Sequence, residues 1–436
     1  MKEKKKKVVA FLPAKGTSER IPSKNSRLLN GRPLFYHTLK KLCACDFIDE
    51  VYLDSESDEI LNYAPYLRYI PLKRDASLAT NQTDGHELFF HEVRQTRADI
   101  YIQILGTSPF IKKETIKKGI DILLEHPEYD SVVLMKTCRE YVWENGQPAY
   151  DRRHIPNSNT LAETVTEAMG LYMVRHEAAW KHRMRYGEHI YMLKGDASET
   201  IDVNNADEFE LADTIMKGLT AKETIRFGLL SKYLNSAVFA DLLSERGIDA
   251  VISGLKPNIP GIARMGRANT LKLRALEISE DYRGIYEALK TYQTVAQGEM
   301  IVVENEVCDR AYFGELNAYL AVRCAAAGTI IGGVTRDMAQ VAGMGYPVWS
   351  AGYSCADVKY RATVASSQMP VKINGIQICP GDILFADDCG IVRIPQNIES
   401  EILRQAVQSI GIEKNVLKKV LDDCDAFKIY ESEGEF

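Results

Sequence analysis

The sequence has no apolar run of the roughly 18 to 20 residues that crossing a bilayer requires. Its apolar stretch Val8–Pro13 is too short for the core of a signal peptide, and no small-residue cleavage site follows it. No Cys-x-x-Cys pair occurs among the nine cysteines, whose only close spacing is Cys43 with Cys45. That argues against a zinc site or a disulfide framework and for reduced, packed thiols in a cytoplasmic protein. Surplus positive charge is missing too. The 54 basic residues stand against 60 acidic ones, a net charge of −6, so no nucleic-acid partner and no membrane partner is expected. The lysines at 2 and 4–7 read as a solvated terminus. Internal repeats and low-complexity tracts are absent. So are the Rossmann glycine fingerprint and the second glycine that a Walker A loop places directly before its lysine.

What is present suits a globular protein of two domains. The 436 residues are 45% apolar and 26% charged, and a length of that order divides most naturally into two units of about 200 residues. In the first half, short apolar runs alternate with amphipathic segments: "KVVAFLPA", then "PLFYHTLKKLCA" opening at Pro33; "DEVYLDS", then "SDEILNYA"; "RYIPLK", then "TDGHELFFHEVRQT"; "ADIYIQILG", then "KKETIKKGIDILLEH"; and last "DSVVLMKT". Such alternation predicts an α/β unit, a mostly parallel sheet with helices on both faces. The polar stretch "KGLTAKETIR" marks a boundary, giving domains at 1–222 and 223–436. Beyond it comes the helix "SAVFADLLSERG". A Gly/Pro-rich stretch and short β-branched runs follow ("EMIVVEN", "GTIIGG", "MPVKING", "DILFADD", "GIVRIP"), with the helix "GELNAYLAVRCAAAG" among them. That texture predicts a compact layered β/α domain.

The segment "FLPAKGTSERIPSKNSRLLNGRPL" puts Gly16 and the cations Lys15, Arg20, Lys24 and Arg27 straight after the first apolar run. In an α/β sheet that loop lies beyond the carboxyl end of a strand, where ligands bind. A glycine there permits close backbone approach, and successive N–H groups form an anion-binding nest that cations reinforce. The residues by themselves allow two readings, a phosphate-binding loop or a solvated basic one. Lys24, as a loop cation, is expected to be exposed.

The order "PAKGTSERIPSKN…NGRPL" resembles the signature of CMP-sugar synthetases, the cytidylyltransferases that activate sialic acid and Kdo. Further blocks follow in order through about residue 215: "LDSESDEI", "KRDASLATNQTDG", "QILGTSPF", "MGLYMV" and "ETIDVNNADEF". The resemblance implies a nucleotidyltransferase-type fold and CTP as substrate, with CMP passing to a small acidic acceptor. Ala14, Lys15, Gly16, Thr17, Arg20, Lys24, Asn25, Arg74 and Thr83 would hold the nucleotide, with Arg20 and Lys24 catalytic. Gln103, Thr107 and Ser108 would meet the acceptor, and Asp202 would hold Mg²⁺ or Mn²⁺. Lys15 stands where the family has arginine, which keeps the charge but loses a planar fork. Asn204 stands where it has a second aspartate.

In the second half, Glu315 in "FGELNAY" and the pair Arg336–Asp337 in "IIGGVTRDM" sit beside strand–helix junctions. An arginine next to a carboxylate at a glycine-rich turn suits a small carboxylate and a divalent metal, or is a structural ion pair. Residues 228–398 resemble the RraA-like family, which includes metal-dependent 4-hydroxy-4-methyl-2-oxoglutarate aldolases and ribonuclease regulators. The blocks carrying this resemblance are "SAVFADLLSERG", "LKPNIPGIARMGRANT", "QGEMIVVEN", "AYFGEL", "GGVTRD", "PVWS" and "ICPGDILFADDCGIVRIP". It implies a layered β/β/α domain acting on a pyruvate-type 2-keto acid. Arg336 would bind the acid, with the backbone of Gly314 to Leu316 receiving its carboxylate. Asp337 would bind Mg²⁺ or Mn²⁺, and Glu315 would support metal-bound water. Asp241 matches a position that reaches a neighbouring subunit. The resemblance further implies a homo-oligomer, a trimer or a multiple of trimers. The expectation is a bifunctional enzyme; the alternative is a cytidylyltransferase whose second domain is a non-catalytic oligomerisation or regulatory module.

Overall fold

Strand β1 (Val8–Pro13) shows why the first sheet is covered on both faces. Val8, Ala10 and Leu12 enter one apolar core, while Val9 and Phe11 enter another, the two-sided burial of a central parallel strand. In the computed structural model, which describes residues 5–18, 21–80 and 82–434, β1 pairs in parallel with β2 (Glu50–Ser55) and β4 (Ile100–Ile104). Strand β3 (Ile70–Lys73) extends the sheet beyond β2. On the other side lie β5 (Ser131–Cys138), β6 (Thr164–Arg175) and β7 (Ile190–Lys194), in the order β7-β5-β6-β4-β1-β2-β3. Only β6 runs antiparallel to its neighbours. Its register slips between Glu167 and Tyr172, where Met169 takes φ +56°. An irregularity of this kind re-aims side chains at the end of a sheet.

Helices α1 (Leu34–Cys43), α2 (Gly85–Val93) and α3 (Lys113–Glu125) form where the apolar spacing places them. Pro33, expected inside the first turn, is instead the residue that caps α1, at φ −53° and ψ 142°. Asp84 caps α2, its carboxylate accepting the His86 N–H.

The chain divides into two compact units, Met1–Thr214 and Ile215–Phe436. The polar stretch read as a boundary is helical, part of the single helix α4 (Ala206–Tyr233). Its residues Phe227 and Leu230 belong to an apolar core with Phe239, Phe385 and Ile402. Buried residues spaced like these are enough to continue a helix through a polar sequence.

The second unit is built on nine strands. Its spine is the long strand β10 (Arg264–Ala275), with β11 (Met300–Asn305), β12 (Gly328–Gly332) and β13 (Val348–Ser350) parallel in succession. Short strands β8 (Val251–Ile252) and β9 (Lys256–Pro257) close the two ends. Strands β14 (Ala362–Ser367), β15 (Ile383–Ala386) and β16 (Ile391–Ile394) add antiparallel pairings. Among the described residues no helix is long and apolar enough to cross a membrane.

Arg267 on β10 clamps two helices. Its guanidinium pairs with Glu223 of α4 at 2.7 and 2.8 Å and with Glu399, the first residue of the helix Glu399–Leu421, at 2.8 and 2.9 Å. The arginine is largely buried, and these bonds raise its pKa despite the opposing effect of burial. Removing the cation leaves two carboxylates facing each other. Arg267→Ala is therefore expected to destabilise the second unit by about 3 kcal/mol, read from urea unfolding. Adding Glu223→Gln and Glu399→Gln should recover much of the loss.

Candidate functional site

The loop after β1 turns over the carboxyl end of the sheet into a cleft of about 340 Å³. Of the residues singled out from the sequence, Lys15, Lys24, Asn25, Arg74, Thr83, Thr107 and Asp202 line it. Ala14, Gly16, Thr17, Gln103 and Ser108 are not among its lining residues, and Arg20 lies outside the described residues. Lys24 is 9% exposed rather than a free-standing surface cation, and its Nζ donates to the carbonyl of Val203 at 2.9 Å. This bond draws the loop to the backbone beside Asp202.

Gly16 serves the loop in a way the sequence did not reveal. A Cβ there would stand 2.9 Å from Ser57 Cβ, so only glycine lets the loop pack on the residue that caps the turn after β2. The Gly16 N–H donates to Glu56 Oε1 at 2.7 Å, so that amide serves the loop's own structure. The Asn25 amide donates to the Lys15 carbonyl at 2.8 Å and closes the loop from the other side.

Beneath the loop runs a buried polar chain. Arg74 Nη2 meets Glu56 at 3.2 Å, and its Nη1 meets Asp54 at 3.1 Å, with Arg74 and Asp54 side chains 2% and 0% exposed. Glu92 on α2, also fully buried, accepts from Gln103 Nε2 and hydrogen-bonds the Asp54 carboxyl. Two carboxyls in contact must share a proton. Burial raises both pKa values, and Asp54's charge raises Glu92 further, while Arg74 pulls Asp54 back toward ionisation. The proton therefore resides on Glu92. It also accounts for Asp54 Oδ1 and Glu92 Oε1, which have no other partner.

Other buried polar atoms around the cleft also lack partners: Asn25 Oδ1, Arg74 Nε, Ser108 Oγ, Arg185 Nε and Asp202 Oδ1. Folded proteins rarely leave such groups unsatisfied, and water, an ion or a ligand completes them. Asp202 has its other oxygen held by Asn204 Nδ2 at 2.6 Å. One hard carboxylate oxygen is thus available, a donor suited to Mg²⁺ or Mn²⁺. Among the described residues no group of three acidic, histidine or cysteine side chains stands ready for a metal. A cation at Asp202 would take its remaining ligands from phosphates and water. Arg185, Asn204, Thr80 and Met169, which the sequence reading did not assign to the site, complete the wall.

In the second unit, Gly314 and Asp337 meet. A Cβ on Gly314 would lie 2.5 Å from Asp337 Oδ2, and that oxygen accepts the Glu315 N–H at 3.1 Å. Asp337 takes φ +57°, a left-handed conformation uncommon for a residue with a side chain. Arg336 Nε is 3.6 Å from Asp337, and its Nη1 is 2.6 Å from Asp357, a residue the sequence reading passed over. Both contacts implied for a substrate carboxylate, the Glu315 amide and the Arg336 fork, thus hold carboxylates of the chain itself. Asp337 and Asp357 offer hard oxygens on either side of Arg336, a donor set compatible with Mg²⁺ or Mn²⁺. Leu316 is exposed. Asp241 lies elsewhere, in a groove of about 460 Å³ with Glu245, Gln405 and Glu413.

A cleft lined by Lys15, Lys24, Arg74 and Arg185 beyond the carboxyl ends of parallel strands is suited to an anionic small molecule. Residues 9–196 match the family described as Cytidylyltransferase, and residues 236–393 that described as Aldolase/RraA. The first region thus resembles cytidylyltransferases and the second is RraA-like. Among similar proteins, Protein DlpA of Legionella pneumophila is 31% identical over 174 residues, covering 40% of this chain and 28% of that protein. The CMP-N,N'-diacetyllegionaminic acid synthase of the same organism is 32% identical over 122 residues, 27% of this chain and 53% of that one. A putative 4-hydroxy-4-methyl-2-oxoglutarate aldolase of Halalkalibacterium halodurans is 23% identical over 185 residues, 42% and 84% of the two chains. The chain spans about half the length or less of the first two.

The shared proton predicts a pH signature. A buried acid with a raised pKa keeps its proton while the unfolded chain loses it, so stability falls as pH rises above the ordinary glutamate value. Glu92→Gln reproduces the neutral acid. Its stability relative to wild type should rise between pH 5 and pH 8, measured by urea unfolding. Glu92→Ala should instead cost about 2 kcal/mol or more at both pH values.

Proposed function

We propose that the first unit transfers CMP from CTP to a sugar acid, releasing pyrophosphate. The observation that carries this reading is the unsatisfied polar rim of the cleft, from Asn25 and Arg74 to Asp202, within the region that resembles cytidylyltransferases. An acceptor hydroxyl oxygen attacks the α-phosphorus and forms the new P–O bond. The bond from that phosphorus to the bridging oxygen of pyrophosphate breaks, and the hydroxyl proton passes to solvent. Phosphoryl-type transfer of this kind needs positioning and charge neutralisation above all. Lys15 and Lys24 face the triphosphate, Arg74 with its unpartnered Nε faces the base, and Thr83 and Thr107 orient the substrates. Mg²⁺ or Mn²⁺ at Asp202 would neutralise phosphate charge.

For the second unit, we propose a metal-dependent lyase that binds a pyruvate-type 2-keto acid at Arg336, with Asp337 toward the metal and Glu315 beside it. The pairing of Arg336 with Asp357 requires the incoming carboxylate to displace a resident one. A homo-oligomer built through this unit belongs to the same proposal.

Calorimetry with CTP and Mg²⁺, and pyrophosphate release across a panel of eight- and nine-carbon sugar acids, test the first activity. Lys24→Met keeps the apolar stem and removes the charge. It should lower turnover about 100-fold or more while the loss of the bond to Val203 costs about 1 to 3 kcal/mol of stability, and a near-normal rate would remove Lys24 from the mechanism.

Pyruvate release from oxaloacetate with Mg²⁺ tests the second unit. Arg336→Ala should abolish it. Release unaffected by that change would displace the assigned site, and no release from the wild-type protein would favour a non-catalytic module.

A further inference from the structure

Arg185 follows the short helix His176–His182 and enters the cleft from the side of β6. Its guanidinium carbon lies 5.0 Å from the centre of the Tyr172 ring, a cation–π distance. On its other side is Gly85, the first residue of α2. A Cβ at that position would come within 2.6 Å of Arg185 Cζ and Nη1. The arginine is thus a flat plate held between an aromatic ring and a glycine. Its backbone N–H donates to His86 Nδ1 at 3.1 Å, which pins the segment to α2.

The guanidinium meets the Tyr172 hydroxyl, but among the described residues it forms no ion pair with a carboxylate, and its buried Nε has no hydrogen-bond partner. Guanidinium does not deprotonate in proteins, and a half-buried cation without an ion-pair partner suits an anionic ligand. The Tyr172 hydroxyl donates to Glu167, so the nearest acid reaches Arg185 only through that hydroxyl. Two anions enter this cleft under the proposed function, the triphosphate and the acceptor's acid group. Lys15 and Lys24 are point charges on the triphosphate loop. Arg185 presents a planar fork to the same cleft, beside the strand whose Tyr172 stands in register with Gln103. A planar fork matches the two oxygens of a carboxylate.

We propose that Arg185 is the acceptor-recognition residue, binding the carboxylate of the sugar acid, with Gly85 and Tyr172 fixing the plane of its fork. This rests on the reading of the first unit as a CMP transferase. It also explains why the position after Asp84 is glycine: any side chain there would drive the guanidinium out of the plate.

The experiment compares wild type, Arg185→Gln and Arg185→Lys with a turned-over sugar acid and with its methyl ester, while CTP affinity is measured separately by calorimetry. The wild type should prefer acid over ester. Arg185→Gln should raise the acceptor KM at least about tenfold and lose that preference, with CTP affinity within about twofold of wild type. Arg185→Lys, charged but not forked, should fall between the two. An unchanged acceptor KM in Arg185→Gln, with CTP still bound, would overturn the assignment and leave the transferase reading intact. A CTP affinity that falls with the acceptor preference retained would give the cation to the triphosphate and overturn it equally. A wild-type protein that neither binds CTP nor releases pyrophosphate would remove the transferase reading, and this proposal with it. The CTP measurement on each variant also reports whether it has folded.

Discussion

The pairing of Arg74 with Asp54 beneath the first cleft is the contact on which that unit's site depends. From it, one line of hydrogen bonds runs up through Glu56 to the Gly16 amide. Another runs sideways through Glu92 to Gln103. The loop over the cleft and the centre of the sheet are therefore parts of one polar lattice. A buried ion pair of this kind contributes little net stability compared with an apolar packing. Its value here is directional, since it holds the arginine, the loop glycine and the amide of Gln103 in one arrangement.

Much of this was legible in the sequence. The alternation of apolar runs and amphipathic segments marks the strands and helices of the first sheet, because the periods of burial differ between the two. The glycine and cations after Val8–Pro13 locate the cleft, because loops at that end of an α/β sheet face ligands. Other features were not legible, for physical reasons. Glu92 sits in "TDGHELFFHEVRQT" as an ordinary helix glutamate, and only the fold shows that it is buried against Asp54. Arg185 is one of several cations in a short polar segment, and only the fold shows its buried Nε left without a hydrogen bond. Gly16 was read as making room for a ligand, whereas the space it creates is filled by Ser57.

The second half was harder to read. The long strand Arg264–Ala275, its spine, alternates charged and apolar residues and begins in a stretch that reads as loop. Its register is set by neighbours more than 20 residues away in sequence. Asp357 escaped notice because it stands 20 residues beyond the Arg336–Asp337 pair. The polar stretch near residue 222 resembled a linker, yet buried Phe227 and Leu230 carry a helix through it.

The neutral proton on Glu92 has a further consequence for what Arg74 is able to sense. Arg74 is paired with the carboxyls of both Asp54 and Glu56, so its positive charge is met within the floor of the cleft. What remains on offer is an oriented, buried N–H, a group suited to the edge of an uncharged ring by shape and hydrogen bonding. Under the proposed function, selectivity for the base would then depend little on ionic strength, while a grip on the phosphates by the more accessible Lys15 would weaken as salt rises.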